Sequence, residues 1–222
     1  MTGGSKNLKI ADMDNLELSN MNRLRGSLTY LNKSKVELAS NQIWEIDPFI
    51  DIELWDKGIV KENLRKFIGD PRIDVMVDEI DDLKLKILLR IEAKRLHVPV
   101  VMATDNDDGV LIDIERFDIE PGRPIFHGLV GEEITSLIEG ELSPQQRVDI
   151  SSKIVGKKFI SERMFKSLSE VGKSIPTWPQ LGTAASMSGA VAAYVVREIV
   201  AGKSIPSQRS LITPNAILKK GP

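Results

Sequence analysis

Two aspartates open the chemistry of this chain. Asp12 and Asp14 stand directly after a short apolar run, Leu8, Ile10 and Ala11, and ahead of a loop with Asn20, Asn22 and Arg23. An acidic residue at the end of a second strand in a doubly wound sheet accepts from ribose hydroxyls, which makes Asp12 a candidate nucleotide-binding residue. The same pattern is also an ordinary strand followed by an Asx-rich turn. The local pattern alone does not separate the two readings.

The elements around it argue for the first. A helix is predicted from about Lys33 to Glu45, capped by Asn32 or Ser34 and burying Val36, Ala39, Ser40 and Ile43. Residues 50–55, IDIELW, alternate as a half-buried strand does, and a helix near 61–68 closes on Gly69. Ile73 to Val77 reads as the next strand, with Asp78 at its end. A helix from about Asp82 to His97 presents Leu83, Ile87, Leu88, Ile91 and Leu96 at helical spacing, with Asp81 or Asp82 as its cap. VPVVMA at 98–103 is apolar throughout, as suits a strand covered on both faces. Strand alternating with helix implies an α/β fold, Rossmann-like, with a mostly parallel sheet. Ligands of such sheets lie beyond the carboxyl ends of the strands, where Asp12, Asp78 and the 104–108 loop all fall.

The acidic run TDNDDG does not fit a calcium loop. Counted from Asp105, Gly109 is fifth rather than sixth and the twelfth position is Arg116 rather than Glu. A tight turn into the alternating strand VLIDIERFD is expected instead. From Glu120 a Pro- and Gly-rich connection begins, which suggests a nucleotide-binding part over 1–119 and a C-terminal part over 120–222 packed on it as one structural unit. That second part holds helices from Pro144 to about Val155 and from Glu162, an irregular segment at 174–182, a helix of small residues at 183–201 and a last strand near 210–218. His97 and His127 are isolated and read as structural.

With 222 residues, 41% apolar and 28% charged content and a net charge of -2, the chain has the profile of a soluble protein without a nucleic-acid or acidic-membrane partner. The absence of cysteine excludes disulfides, a cysteine zinc site and a cysteine nucleophile, and it fits a cytoplasmic setting. The N-terminus has no apolar core of a signal peptide, and the uncharged stretch 181–196 is too short and too rich in small residues for a membrane span.

DMDNLELSNMNR, followed by NKSKVELA at 32–39, resembles the ThiF/MoeB superfamily, the adenylating domain of ubiquitin-activating-like enzymes. VDEIDD at 77–82 and IPTWPQLG with the small-residue helix after it extend the resemblance over most of the chain. The resemblance implies attack of a carboxylate on the α-phosphate of ATP, giving an acyl-adenylate and pyrophosphate. The carboxylate would be the C-terminus of a ubiquitin-like or sulfur-carrier protein, or a small molecule. It further implies that Asp12 holds the ribose, that Asn20, Arg23 and Lys35 contact the phosphates, and that Asp78 holds Mg²⁺; zinc is not expected. Taken without the family, Arg23 and Lys35 are surface charges, Asn20 a turn residue and Asp78 a helix cap.

Three departures accompany the resemblance. The chain has no cysteine for a later thioester or persulfide step, and Asp82 stands where the family has Asn. The glycine-rich phosphate loop is missing: Gly3 and Gly4 lie just before the Leu8 strand, so the fold is expected to begin about one strand and one helix late, on the order of 25–30 residues. The expectation is therefore an impaired adenylating domain. It would form homodimers, because the first strand of such a sheet is central and its loss exposes strand edges. A non-catalytic binding or dimerisation module and a dinucleotide-dependent oxidoreductase are the alternatives.

Overall fold

A computed structural model describes residues 5–131, 138, 140, 143–156, 159–170, 173–175 and 180–218. The strand after the chain start is β1, Asn7–Ala11, and it pairs in parallel with β2, Asp51–Trp55, from Asn7↔Asp51 to Ala11↔Trp55. Between them runs α1, Lys35–Trp44, whose first turn is capped by the Ser34 hydroxyl accepting the Glu37 N–H. Helix α2, Lys61–Gly69, leads to β3, Met76–Val77, only two residues long, because Ile73 gives its N–H to Ile68 at the end of α2 rather than to a neighbouring strand. Helix α3, Leu83–Arg95, is capped by Asp82, which accepts from Leu85 N–H.

Strand β4, Val100–Asn106, pairs in parallel with β3, then turns through Asp107 and Asp108 into the antiparallel β5, Gly109–Glu115. Asp107 adopts φ 54°, a left-handed conformation that Asp tolerates better than most residues. In the C-terminal part come α4, Pro144–Val155, α5, Glu162–Glu170, and α6, Gly182–Val200. Strand β6, Gln208–Ile212, then adds antiparallel to β5, and α7 is Pro214–Leu218. The expected last strand thus stops at Ile212: Thr213 accepts the Ala216 N–H and Pro214 starts a helix, a cap-and-proline signal. Residues 176–179 of the irregular IPTWPQLG segment lie outside the described residues.

The sheet is in two pieces, β1-β2 and β3-β4-β5-β6. Both contribute to one core. Leu64, Phe67 and Ile68 of α2, Ile87 and Leu89 of α3, and Val100 and Met102 of β4 are buried together, and Ala11 and Trp55 pack against them. On the other face of the larger sheet, Val101, Ala103, Ile112 and Ile114 meet Ala192, Val195 and Ile199 of α6. The all-apolar run of β4 is explained by this double cover, each buried side chain contributing about 1.5–3 kcal/mol. Among the described residues no strand lies between β1 and β3, and no helix is long and apolar enough to cross a membrane.

Two helix faces differ from the spacing argument. In α1 the buried set is Val36, Leu38 and Ser40. In α3, Ile91 is exposed while Arg90 is completely buried, because α3 turns a cation toward the charged face of β5.

Candidate functional site

Strand β1 delivers Asp12 to the carboxyl edge of the small sheet. The Asp12 carboxylate accepts the Asp14 N–H at 2.8 Å, the Asx turn that the sequence also allowed. The segment after it is sewn to the start of α1: Leu16 exchanges backbone hydrogen bonds with Asn32 and Lys33, and Lys35 gives its own N–H to Asp14. This places the Lys35 ammonium 2.7 Å from Asp14 and 3.8 Å from Asp12. Leu16, fully buried, anchors the loop from below.

The loop carries the other candidates. Asn20 is buried and accepts the Glu17 N–H at 3.0 Å, closing a 3-10 turn over Leu18–Asn20. Arg23 donates to the Ser19 carbonyl and the Asn22 side chain. The loop rests on the start of α6: Asn22 donates to the Gln180 carbonyl, and a Cβ on Gly182 would come within 2.4 Å of the Asn22 carbonyl oxygen. Glycine at 182 is thus what allows the Arg23 loop to sit there. Asp105, near the end of β4, accepts from the buried Ser188 hydroxyl at 2.5 Å. Partial burial raises the Asp105 pKa, against the hydrogen bond from Ser188 and the charge of Arg23. The structure therefore joins Asp12, Asp14 and Lys35 directly, and puts Asn20 and Arg23 on an adjoining loop that faces β4 and α6.

Asp78 lies apart from this group. It is fully buried, accepts the Ile80 N–H at 3.0 Å and the Lys86 ammonium at 3.0 Å, and pairs with the Arg90 guanidinium. Burial alone would raise its pKa; Arg90 and Lys86 outweigh burial and hold it below the ordinary carboxylate range. Arg90 also donates to Glu115 at 2.6 Å and lies 4.1 Å from the centre of the Phe126 ring. Glu115 shares this single cation and faces Asp113, so burial wins there and raises its pKa.

Both carboxylate oxygens of Asp78 are engaged, one by the Ile80 N–H and the other by Lys86 and Arg90. Mg²⁺ demands open oxygens in near-octahedral geometry, and here it would have to displace Lys86. Among the described residues no group of three or more His, Cys, Asp or Glu side chains is gathered to hold a metal ion.

The sequence reading missed the buried charges of β5. Asp113 accepts from Arg209 at 2.7 Å and meets the His127 ring at 2.8 Å, so His127 is partnered rather than isolated. Their only signal was the placing of Asp113 and Glu115 at alternate positions of an otherwise apolar strand. Glu79 was missed as well. Much of the residue is exposed, but its carboxyl head turns inward to accept the Ala103 N–H at 3.1 Å, and burial of that head raises its pKa to about 7.

With the geometry in hand, comparison with known proteins identifies the class. The ThiF family profile matches residues 1–207, and the chain belongs to that family. Over 218 residues it is 35% identical to an uncharacterized protein of Mycobacterium tuberculosis, a match covering 98% of this chain and 30% of that protein. Over 150 residues it is 29% identical to the molybdopterin-synthase adenylyltransferase of Haemophilus influenzae, covering 64% of this chain and 58% of the enzyme. The chain thus spans less than two thirds of the length of these curated relatives. Among solved structures, E. coli MccB with ATP superimposes with a TM-score of 0.59 at 14% identity, over 94% of this chain and 53% of that one. E. coli tRNA N6-threonylcarbamoyladenosine dehydratase, TcdA, in complex with ATP gives 0.58 at 12% identity, over 97% and 79%. At these identities the likeness shows the fold, an α/β, Rossmann-like arrangement of parallel and mixed sheets flanked by helices.

Proposed function

We propose that this chain carries the nucleotide-binding core of an ATP-dependent adenylating protein. The observation that carries the reading is Lys35, held at the end of β1 between Asp12 and Asp14 in a chain of the ThiF family. The Lys35–Asp14 pair is largely solvent-exposed on the aspartate side, and such pairs are worth about 0–1 kcal/mol, so a phosphate group can take the ammonium from Asp14 at little cost. Asp12 has one oxygen committed to the Asp14 N–H, and the second, facing Lys35 at 3.8 Å, can accept from ribose hydroxyls once a phosphate draws the ammonium away. Arg23, whose loop faces the end of β4, is the second phosphate donor, and Asn20 shapes that loop. In the reaction an acceptor carboxylate oxygen bonds to the α-phosphorus, the α–β phosphoanhydride bond breaks and pyrophosphate leaves with the electron pair. Lys35 and Arg23 stabilise the charge that develops on the phosphates. Mg²⁺ accompanies ATP in this reading, but no step is assigned to it through Asp78.

The acceptor class is the C-terminal carboxylate of a ubiquitin-like or sulfur-carrier protein, or a small carboxylic acid, in a cytoplasmic setting. Support for the general class comes from the relatives: one is a molybdopterin-synthase adenylyltransferase, and two structural neighbours were solved with ATP. Residues 1–119 form the nucleotide-binding part in this reading, with 120–222 packed on it.

The split between β1 and β3 favours a second reading. Here adenylation is impaired, because the described sheet is in two pieces, and the chain acts as a binding or homodimerising module. ATP–pyrophosphate exchange separates the readings. The chain alone should exchange slowly, and a version extended upstream by a strand, glycine-rich loop and helix should exchange faster. In that extended form Arg23→Ala and Lys35→Ala should each lower the rate with the fold intact. Equal exchange with and without the extension would overturn the impairment, and wild-type rates in both variants would return Arg23 and Lys35 to surface charges.

A further inference from the structure

A second cleft lies at the far end of the buried charge layer and shares no residue with the Asp12–Lys35 group. It has a volume of about 440 Å³ and is lined by Glu120, Gly122, Arg123, Pro124 and His127. That size falls in the range of ligand pockets.

Its walls are fixed with unusual care for a loop. Phe126 and His127 are both left-handed, at φ 49° and 54°, a conformation non-glycine residues keep only when their surroundings impose it. The imposition is visible: the Phe126 N–H donates to buried Glu115 at 2.6 Å, and the Arg90 guanidinium lies against the Phe126 ring. Lys94 of α3 holds the Arg123 carbonyl at 2.7 Å.

The hydrogen bonds also fix the state of the imidazole. Arg123 approaches His127 Nδ1 with Nε at 3.3 Å and Nη2 at 3.0 Å. A guanidinium only donates, so Nδ1 accepts and the ring proton sits on Nε2, facing Asp113 at 2.8 Å. Asp113 is held in turn by Arg209. One edge of Arg123 is thereby locked to the interior. The other edge, Nη1, faces the cleft and is occupied by the Glu120 carboxylate.

We propose that this cleft is a binding site for a peptide carboxylate, which takes the place of Glu120 on the outer edge of Arg123. Glu120 marks the position: it is a carboxylate from the chain itself, on a partly exposed pair, and its other oxygen accepts only a long hydrogen bond from the Ser207 N–H at 3.4 Å, so exchange costs little. Beside it a Cβ on Gly122 would meet nothing within 4 Å, so an entering chain has room. The ligand is a monoanion rather than a phosphate, because Arg123 offers a single outer edge and the displaced Glu120 carboxylate stays beside it, where a dianion would be repelled.

The test is titration calorimetry on the whole chain with four acetylated alanine peptides: one with a free C-terminus, one amidated, one amidated with a single internal Glu, and one amidated with a single internal Gln. Inorganic phosphate serves as a further probe. Saturable binding is expected for the free C-terminus, the Glu peptide or both, and not for the neutral peptides. Which of the two carboxylate peptides binds more tightly identifies the source. Glu120→Gln, which removes the internal competitor, should tighten binding by up to about fivefold. Arg123→Gln should weaken it on the order of tenfold or more, with an unchanged circular dichroism spectrum. The proposal is overturned by absence of saturable carboxylate binding in both wild type and Glu120→Gln, by equal binding of the neutral peptides, by wild-type affinity in Arg123→Gln, or by phosphate binding more tightly than either carboxylate peptide.

Discussion

Replacing Arg90 by methionine should be among the most damaging single changes in this protein. Arg90 is completely buried, bridges Asp78 and Glu115, and stacks on Phe126. Its loss does not strand the two carboxylates equally. Asp78 keeps Lys86 at 3.0 Å and the Ile80 N–H, whereas Glu115 keeps, among the described residues, the Phe126 N–H as its hydrogen-bond donor. Breaking a buried pair by removing one partner costs about 3–5 kcal/mol, and Glu115 accounts for most of that here. Against a total stability of about 5–15 kcal/mol this is a large fraction. At a urea slope of about 2–3 kcal/mol/M the midpoint should fall by roughly 1–2 M. The double variant Arg90→Met with Glu115→Gln should recover about 2 kcal/mol or more, because the neutral amide still accepts from Phe126 and no charge is left unpaired. The sign with pH is also fixed. Glu115 already has a raised pKa, and losing its cation raises it further, so the folded state then binds the proton more tightly than the unfolded state. The penalty in Arg90→Met should therefore shrink as pH falls from neutral toward the ordinary carboxylate range. A loss below about 1 kcal/mol at neutral pH with an unchanged urea slope, or a double variant no more stable than the single, would refute the buried-cluster reasoning.

Two further predictions rest on other parts of the structure. Glu79, with its pKa raised by burial from 4.5 to about 7, contributes stability that is present at low pH and lost as pH rises between those values. The difference in urea stability between wild type and Glu79→Gln should change across that window, and a pH-independent difference would contradict it. Gly182→Ala brings a methyl within 2.4 Å of the Asn22 carbonyl oxygen and should destabilise by about 1–3 kcal/mol while displacing the Arg23 loop. Gly189→Ala in the same helix meets nothing within 4 Å and should stabilise by about 0.5–1 kcal/mol. Equal thermal shifts in the two glycine variants would be against this packing of loop on helix.

Much of the framework was legible because it rests on local rules. Apolar runs mark β1 and β4, alternation marks β2, the Ser34 and Asp82 caps are short-range hydrogen bonds, and Ser143-Pro144 opens α4 as helix-start chemistry requires. What escaped was long-range pairing of charge. Arg90 reads as solvent-facing until Asp78, twelve residues before it, and Glu115, twenty-five after it, are folded onto it. His127 looked isolated because Asp113 and, through it, Arg209 come from two strands distant in sequence, and because the local partner Arg123 is brought to it only by the turn of the backbone at 124–127. At Asp12 the Asx turn is present, and Lys35 is gathered beside it from the start of α1. Asp78 stands at a strand end as expected, but the two cations that occupy it, Lys86 and Arg90, come from α3, where the helical spacing of apolar residues gives no sign of them.

The central claim is that the Asp12–Lys35 group receives the ribose and phosphates of ATP. Isothermal titration of the chain with ATP and Mg²⁺, set beside NAD and repeated on Lys35→Ala, tests it most directly. The account predicts saturable binding of ATP in preference to NAD, weakened on the order of tenfold or more in Lys35→Ala, as expected for loss of a charge-assisted phosphate contact. Tighter binding of NAD than of ATP, or an ATP affinity unchanged by Lys35→Ala, would contradict it.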